Sequence, residues 1–301
     1  MEALNDQIRN EYHSLLLEFR QKTARTEKDD LIDAAEAKIK QLEEEEENLG
    51  LFKGKRRKEI KAQVEKLQAE LEPLREQVNA AREEAGRPYR EKMLALSDVH
   101  PLLLFLFAET GDTLRMGKYV RKPDEPAEPL AWRVLERTES EVTVITADVI
   151  DQVNYNEEAV PAVWETSSLR AWLNGEFFQS TFTPAEQQVI ELVDVPAGGG
   201  VALPEPDAAF TKDRLFCLSA EEAKRLLPTN ASRKARVTHV AYEKMVIVSD
   251  DGTGSMWWLR SRGDAPTNAA TVYIDGSVDE DGWLVNISRV GVRPVFKVKL
   301  V

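Results

Sequence analysis

The sequence predicts an α+β protein in two parts, a helical hairpin or coiled coil followed by a domain of short strands and helices. Three observations predict it. Glu, Lys, Gln and Ala dominate the first third, whereas most Trp, Gly and Pro lie beyond Gly111. Up to about Ala85, apolar residues recur at steps of three and four, the rhythm of a helix face. Beyond Leu114 they fall into short alternating runs separated by turn residues, the rhythm of strands. A chain of 301 residues also exceeds one ordinary core, so two domains are expected. Their limits are placed at residues 1–98 for the helical region, 99–110 for an apolar connector and 111–301 for the second domain.

Leu4, Ile8, Leu15 and Phe19 give the first amphipathic helix, from Glu2 to about Lys22. Thr26 to Asp30 supplies cap-like residues before a second helix carrying Ile32, Ala35, Ile39, Leu42 and Leu49. Gly50 and Gly54 break that pattern. In the third helix Ile60, Val64, Leu67, Leu71, Leu74, Val78, Ala81 and Ala85 form a heptad seam. Two seams with a short connection bury each other most simply as an antiparallel hairpin. The alternative pairs the third helix with its copy in another chain, as a homo-oligomer. Pro73 is expected to bend this helix, and Gly86-Arg87-Pro88 to end or kink it, with the pattern resuming to about Leu96. The apolar run Pro101 to Ala108 is far short of the ~20 residues of a membrane span and reads as a buried inter-domain segment.

Strands are expected at Leu114 to Tyr119, Ala131 to Leu135 and Glu141 to Ala147, after which Trp164 to Asn174 reads as a capped helix with Leu169, Trp172 and Leu173 inward. Thr183-Pro184-Ala185-Glu186 opens another helix, with cap and first-turn proline in the preferred order. Pro196 to Pro206 is expected as a surface loop, Asp213 to Leu218 as a strand, and Ser219 as the cap of a helix that Pro228 stops. The segment Met256 to Phe296 then organises the rest. Its ends, Trp257-Trp258-Leu259-Arg260 and Val292-Arg293-Pro294-Val295-Phe296, are apolar blocks that each hold an arginine. Between them Asp275-Gly276 and Asp281-Gly282 carry the strongest short-range hairpin signal.

Composition narrows the function. Basic residues number 19 against 24 acidic up to Thr110, and 21 against 29 beyond it. Neither half is basic, which disfavours nucleic acid as a partner. Cys217 is the single cysteine, so an intrachain disulfide framework and a multi-thiolate zinc site are excluded. The N-terminus lacks the basic start and apolar run of a signal peptide, which makes the cytoplasm the expected location, with no membrane partner. His13, His100 and His239 are scattered, and no two share the spacing of a metal pair or of a nucleophile and its base. No catalytic residue, metal or cofactor is therefore assigned. Asp250-Asp251-Gly252 and Asp279-Glu280-Asp281-Gly282 lack the spacing of a twelve-residue calcium loop and read as turns.

Several motifs in fixed order carry a resemblance: GKY at Gly117, AWRVL at Ala131, WETSSLRAWLN at Trp164, FTPAEQ at Phe182, LFCLSAEEA at Leu215, MWWLRS at Met256 and GVRPVF at Gly291. From about Gly111 to Val301 the chain resembles a bacterial domain family of uncharacterised function. Its closing segment is similar to the C-type-lectin-like domains of retroelement-diversified variable proteins and, more distantly, of formylglycine-generating enzymes. The resemblance implies a C-type-lectin-like fold and a place among variable proteins of a diversity-generating retroelement, with a phage or prophage setting. The paired thiols and clustered histidines of the enzymatic relatives have no counterpart. Glu280 and Trp283 do not arise from asparagine codons by adenine changes alone.

The expected function is thus a non-enzymatic binding protein whose lectin-like face meets a protein or glycan partner through residues 262–290. Tyr273, Asp275, Asp279, Glu280, Trp283, Asn286, Ser288 and Arg289 mix aromatic, acidic and amide groups on short turns, suited to adaptable recognition. Trp257, Trp258, Arg260, Arg293, Trp164, Arg170 and Trp172 are expected to form the structural frame, the arginines stacking on Trp and bridging carbonyls. The alternatives are an enzyme of unfamiliar type with a cleft between the domains, and an assembly protein driven by the coiled coil.

Overall fold

The computed structural model describes residues 6–49, 53–122, 124–196, 198 and 210–300, in two compact units, Met1–Asp98 and Val99–Val301. It is a mixed α+β protein, with a helical N-terminal region followed by a β-rich unit. The turn at Gly50 and most of the Pro196 to Pro206 loop lie outside the described residues.

In the first unit, α1 (Asp6–Lys22) and α2 (Glu27–Glu47) line one long helix, α3 (Gly54–Val99). Ion pairs fix α2 antiparallel to α3: Asp29 meets Arg82, Glu36 meets Arg75 and Glu45 meets Arg56. Ile39, Leu42, Ile60, Leu71 and Val78 are buried along that seam. α3 runs through Pro73 and Pro88 without ending, so of the expected end or kink at Gly86-Arg87-Pro88 the end is not found. A proline inside a helix forfeits one backbone hydrogen bond, but packing from α1 holds the helix across this turn. The Phe19 ring lies so close to Gly86 that a Cβ there would sit 2.7 Å from it, and Arg90 lies 5.5 Å from the ring centroid.

In the second unit the apolar run forms α4 (Leu103–Leu106), whose Phe105 is fully buried against Phe296. Arg137 donates to the carbonyls of Phe105, Leu106 and Ala108 at the end of this helix. β1 (Thr113–Tyr119), β2 (Glu128–Arg137), β3 (Glu141–Thr146) and β11 (Val295–Lys299) form one sheet in that order. A five-stranded sheet has the order β4 (Asp151–Gln152), β10 (Gly291–Val292), β7 (Trp257–Arg262), β8 (Asn268–Val272), β9 (Val278–Leu284). β5 (Val193–Pro196) and β6 (Phe210–Asp213) make a separate ribbon.

Short helices connect the strands: α5 (Ser168–Trp172), α6 (Phe178–Thr181), α7 (Pro184–Val189), α8 (Ala220–Leu226), α9 (Asn230–Arg233) and α10 (His239–Glu243). Capping boxes open α7 at Thr183 and α8 at Ser219, each with a glutamate at the third helical position.

Three expectations need correction here. The helix from Trp164 is broken into a 3-10 turn, α5 and a π-helical turn, Leu173–Phe177. Residues 214–218 are not a strand, because other partners take their backbone groups. Asn174 accepts from the amides of Arg214 and Leu215, and only Phe216 bridges to Val295. Asp281-Gly282 is not a hairpin either. It lies inside β9 at a bulge opposite β8, where Gly282 takes φ +75°. The Asp275-Gly276 turn does join β8 to β9. Gly276 has φ +84°, and a Cβ on it would lie 2.0 Å from the Asn230 carbonyl oxygen.

Two buried arginines hold the C-terminal strands. Arg260 donates to the Pro196 and Cys217 carbonyls and forms a two-pronged pair with Glu222. Arg293 donates to the carbonyls of Thr146, Ala147 and Arg233, and its guanidinium lies 4.9 Å from the Trp257 ring centroid. Burial pushes the Glu222 carboxyl up, but the hydrogen bonds and charge of Arg260 outweigh it, so its pKa lies below the ordinary value. A carboxylate depressed in the folded state adds stability above the unfolded pKa and loses it as the pH falls through the folded one. Glu222→Gln should therefore lower stability at neutral pH and flatten its decline in acid, as urea unfolding across that range would show.

Candidate functional site

The floor of one cleft in the second unit is a buried carboxylate. Asp151 opens β4 in register with Val292 and is 3% exposed. Burying such a charge is costly unless it is hydrogen-bonded, and three donors meet it. The Tyr119 hydroxyl donates at 2.6 Å, Lys244 Nζ lies 2.7 Å from Oδ1, and the Gln152 amide donates at 2.7 Å. Burial first, then the charge of Asp151, raises the Tyr119 pKa well above the ordinary phenol value, so the hydroxyl stays a donor.

One wall comes from α5 and the π-helical turn. Trp172 and Tyr119 both pack on one buried ring, Phe177, at centroid distances of 4.9 and 5.2 Å. Asn174 staples the turn, donating to the carbonyls of Arg170 and Leu215. A π turn inserts one extra residue into a helix and recurs at functional sites. Here it carries Glu176 into the cleft lining.

Lys244, the residue that follows α10, also lines the cleft. Thr238 caps this helix and donates to the Ile150 carbonyl at 2.8 Å, fixing it beside β4. Behind α10 the amides of Met245 and Val246 close on the Tyr242 and Ala241 carbonyls. That closure places Met245 at φ 66°, a position glycine normally fills and an unbranched side chain occupies at a cost of about 1 kcal/mol. Lys244 is held at the cleft by this strained turn. Gln152, Asn154, Glu157, Ser168 and Ser288 complete a lining around about 410 Å³.

Of the eight face residues expected from the sequence, Ser288 and Asp275 line two different pockets. Ser288 lines the Asp151 cleft. Asp275 lies at a separate, more open groove with Lys234 and Arg236, its carboxylate engaged by Ser277 within its own turn. Tyr273 is 37% exposed beside that turn. Asp279 accepts from the Gly282 amide inside the bulge, and Glu280 is paired with Lys224. Trp283 stands opposite Ala269, half-buried, and packs against the core. Asn286 is half-buried, and Arg289 is exposed.

Of the expected frame, Trp164, Trp257, Trp258, Arg260 and Arg293 are buried. Arg170 and Trp164 both donate to the fully buried Asp213. Trp172 is half-buried and lines the cleft. Cys217 is buried, which pushes its thiol pKa up to about 12 and leaves it unreactive. Among the described residues no group of three or more His, Cys, Asp or Glu side chains is placed to hold a metal, and no helix is long and apolar enough to cross a membrane.

Sequence reasoning missed Asp151, Tyr119, Lys244, Glu157 and Glu176. The available signals were an aspartate inside the apolar run Val149-Ile150-Asp151-Gln152-Val153 and the tyrosine that ends the GKY motif.

A family model described as a domain of unknown function, DUF6273, matches residues 139–300. The chain belongs to this family. No curated protein and no solved structure matches it. The DUF6273 segment contains Asp151, Trp172, Glu176, Lys244 and Ser288, whereas Tyr119, which completes the floor, precedes it.

Tyr119→Phe leaves the Asp151 carboxylate one donor short. A hydrogen bond to a charged group contributes about 1.5–3 kcal/mol, and a loss in that range is expected in urea unfolding of the second unit's near-UV signal.

Proposed function

We propose that the second unit is a non-enzymatic ligand-binding module of C-type-lectin-like fold, which takes a polar group of a protein or glycan partner in the Asp151 cleft. The observation that carries this reading is the meeting of two strained backbone devices over one buried, fully satisfied carboxylate. The π turn and the left-handed Met245 each cost stability, and such strain concentrates at functional sites. Binding is favoured over acid–base chemistry because Asp151 is committed to three donors and Tyr119 holds its proton. The lectin-like fold is supported by the order of motifs and by first and last strands that share one sheet.

The test is an immobilised glycan and peptide array probed with the full chain and with Trp172→Ala, Ser288→Trp and Tyr273→Ala. A loss of roughly tenfold or more, about 1.4 kcal/mol, is expected for the first two, with Tyr273→Ala unchanged. Ligands that survive blocking of the cleft but are lost in Tyr273→Ala would contradict the proposal.

A further inference from the structure

Resting on that reading, we propose that the cleft selects an organic cation, a ligand that presents a primary ammonium group. Among the described residues, Glu157 and Glu176 have no cationic partner, while the charge of Lys244 is taken up by Asp151. The lining therefore carries two carboxylates in excess, which repels anionic ligands and attracts cationic ones. Trp172 adds the second requirement. Its half-buried indole lines the same cavity and offers a π face, on which a desolvated cation is stabilised.

The protein itself demonstrates the chemistry. Lys244 brings an ammonium into this cavity and sets it on a buried carboxylate, with Nζ 2.7 Å from one oxygen and 2.9 Å from the other. A ligand ammonium would meet the remaining carboxylates beside an aromatic wall. The Gln152 and Asn154 amides, bonded to each other at 3.0 Å, and the Ser288 hydroxyl can serve the ligand's neutral polar groups. About 410 Å³ suits one small ligand or a terminal unit of a larger one. An amino sugar and a linear polyamine both present this chemistry.

Calorimetric titration of the full chain with glucosamine tetrasaccharide, its fully N-acetylated counterpart and spermidine tests the assignment. At least one cationic probe should bind about tenfold or more tightly than the acetylated sugar, and the tighter of the two names the source. Glu157→Gln/Glu176→Gln, two exposed changes, should remove most of that preference. Asp250→Asn/Asp281→Asn, which removes the same charge outside the cleft, should leave it intact despite the net charge of −13. Absence of cationic binding at millimolar concentration, equal binding of the acetylated sugar, or equal losses in both double variants would overturn the cation assignment. If the acetylated sugar binds and Trp172→Ala abolishes it, the cleft reading stands while this one falls. If a cationic probe binds and Trp172→Ala leaves it unchanged, both fall.

Discussion

A guanidinium removed from water must spend its donors on fixed acceptors, and Arg293 spends them on carbonyls that no regular strand pairing would satisfy. It reaches Thr146 and Ala147 at the exit of β3 and Arg233 at the end of α9, while lying over Trp257. Trp257 in turn donates its indole N–H to the same Arg233 carbonyl. Three segments far apart in the chain are thereby held at one point. The residue before Arg293, Val292, stands in register with Asp151. The position of the cleft floor thus follows from the position of this guanidinium, and α10 is tied to the same place through Thr238 and the Ile150 carbonyl. A lysine could supply the charge but not the planar set of donors.

The broad architecture was legible because it rests on periodicity and caps. The heptad seam of α3, the alternating strands β1 to β3 and the Thr183 and Ser219 caps are local signals, and the structure realises each. Asp-Gly is a weaker signal, since the same pair ends the turn closed between Tyr273 and Ser277 and forms a bulge at 281–282. What separates them is whether the strand continues to pair beyond the glycine, which depends on β8 and not on the dipeptide. The π turn was illegible for a similar reason. Asn174 and Gly175 are poor helix formers and mark a weak point in Leu173 to Phe177 without specifying a π turn, and the extra residue is accommodated by Asn174 bonding to residues 214–215.

The candidate site was largely hidden, because its residues are single polar positions spread over Tyr119, Asp151, Trp172, Glu176, Lys244 and Ser288. Tyr119 and Trp172 fall in sequence motifs, but nothing in those motifs links them to Asp151 or Lys244. Trp172 was read as part of the frame; its ring packs on Phe177 and it also lines the cleft. The face assigned to residues 262–290 drew on density of polar groups, and three of its carboxylates already have partners within the protein. Asp275 and Asp279 serve local backbone amides, and Glu280 serves Lys224. A polar residue on a turn is as often the turn's own partner as a ligand's.

The central claim is that Arg293 positions the cleft from a distance. Amide hydrogen exchange by mass spectrometry on Arg293→Lys against the wild-type chain tests it most directly. Faster exchange is expected in peptides covering residues 146–153 and 233–244, with α1 to α3 unchanged. Exchange altered only around residues 291–295, with the Asp151 and Lys244 peptides as protected as before, would contradict the account.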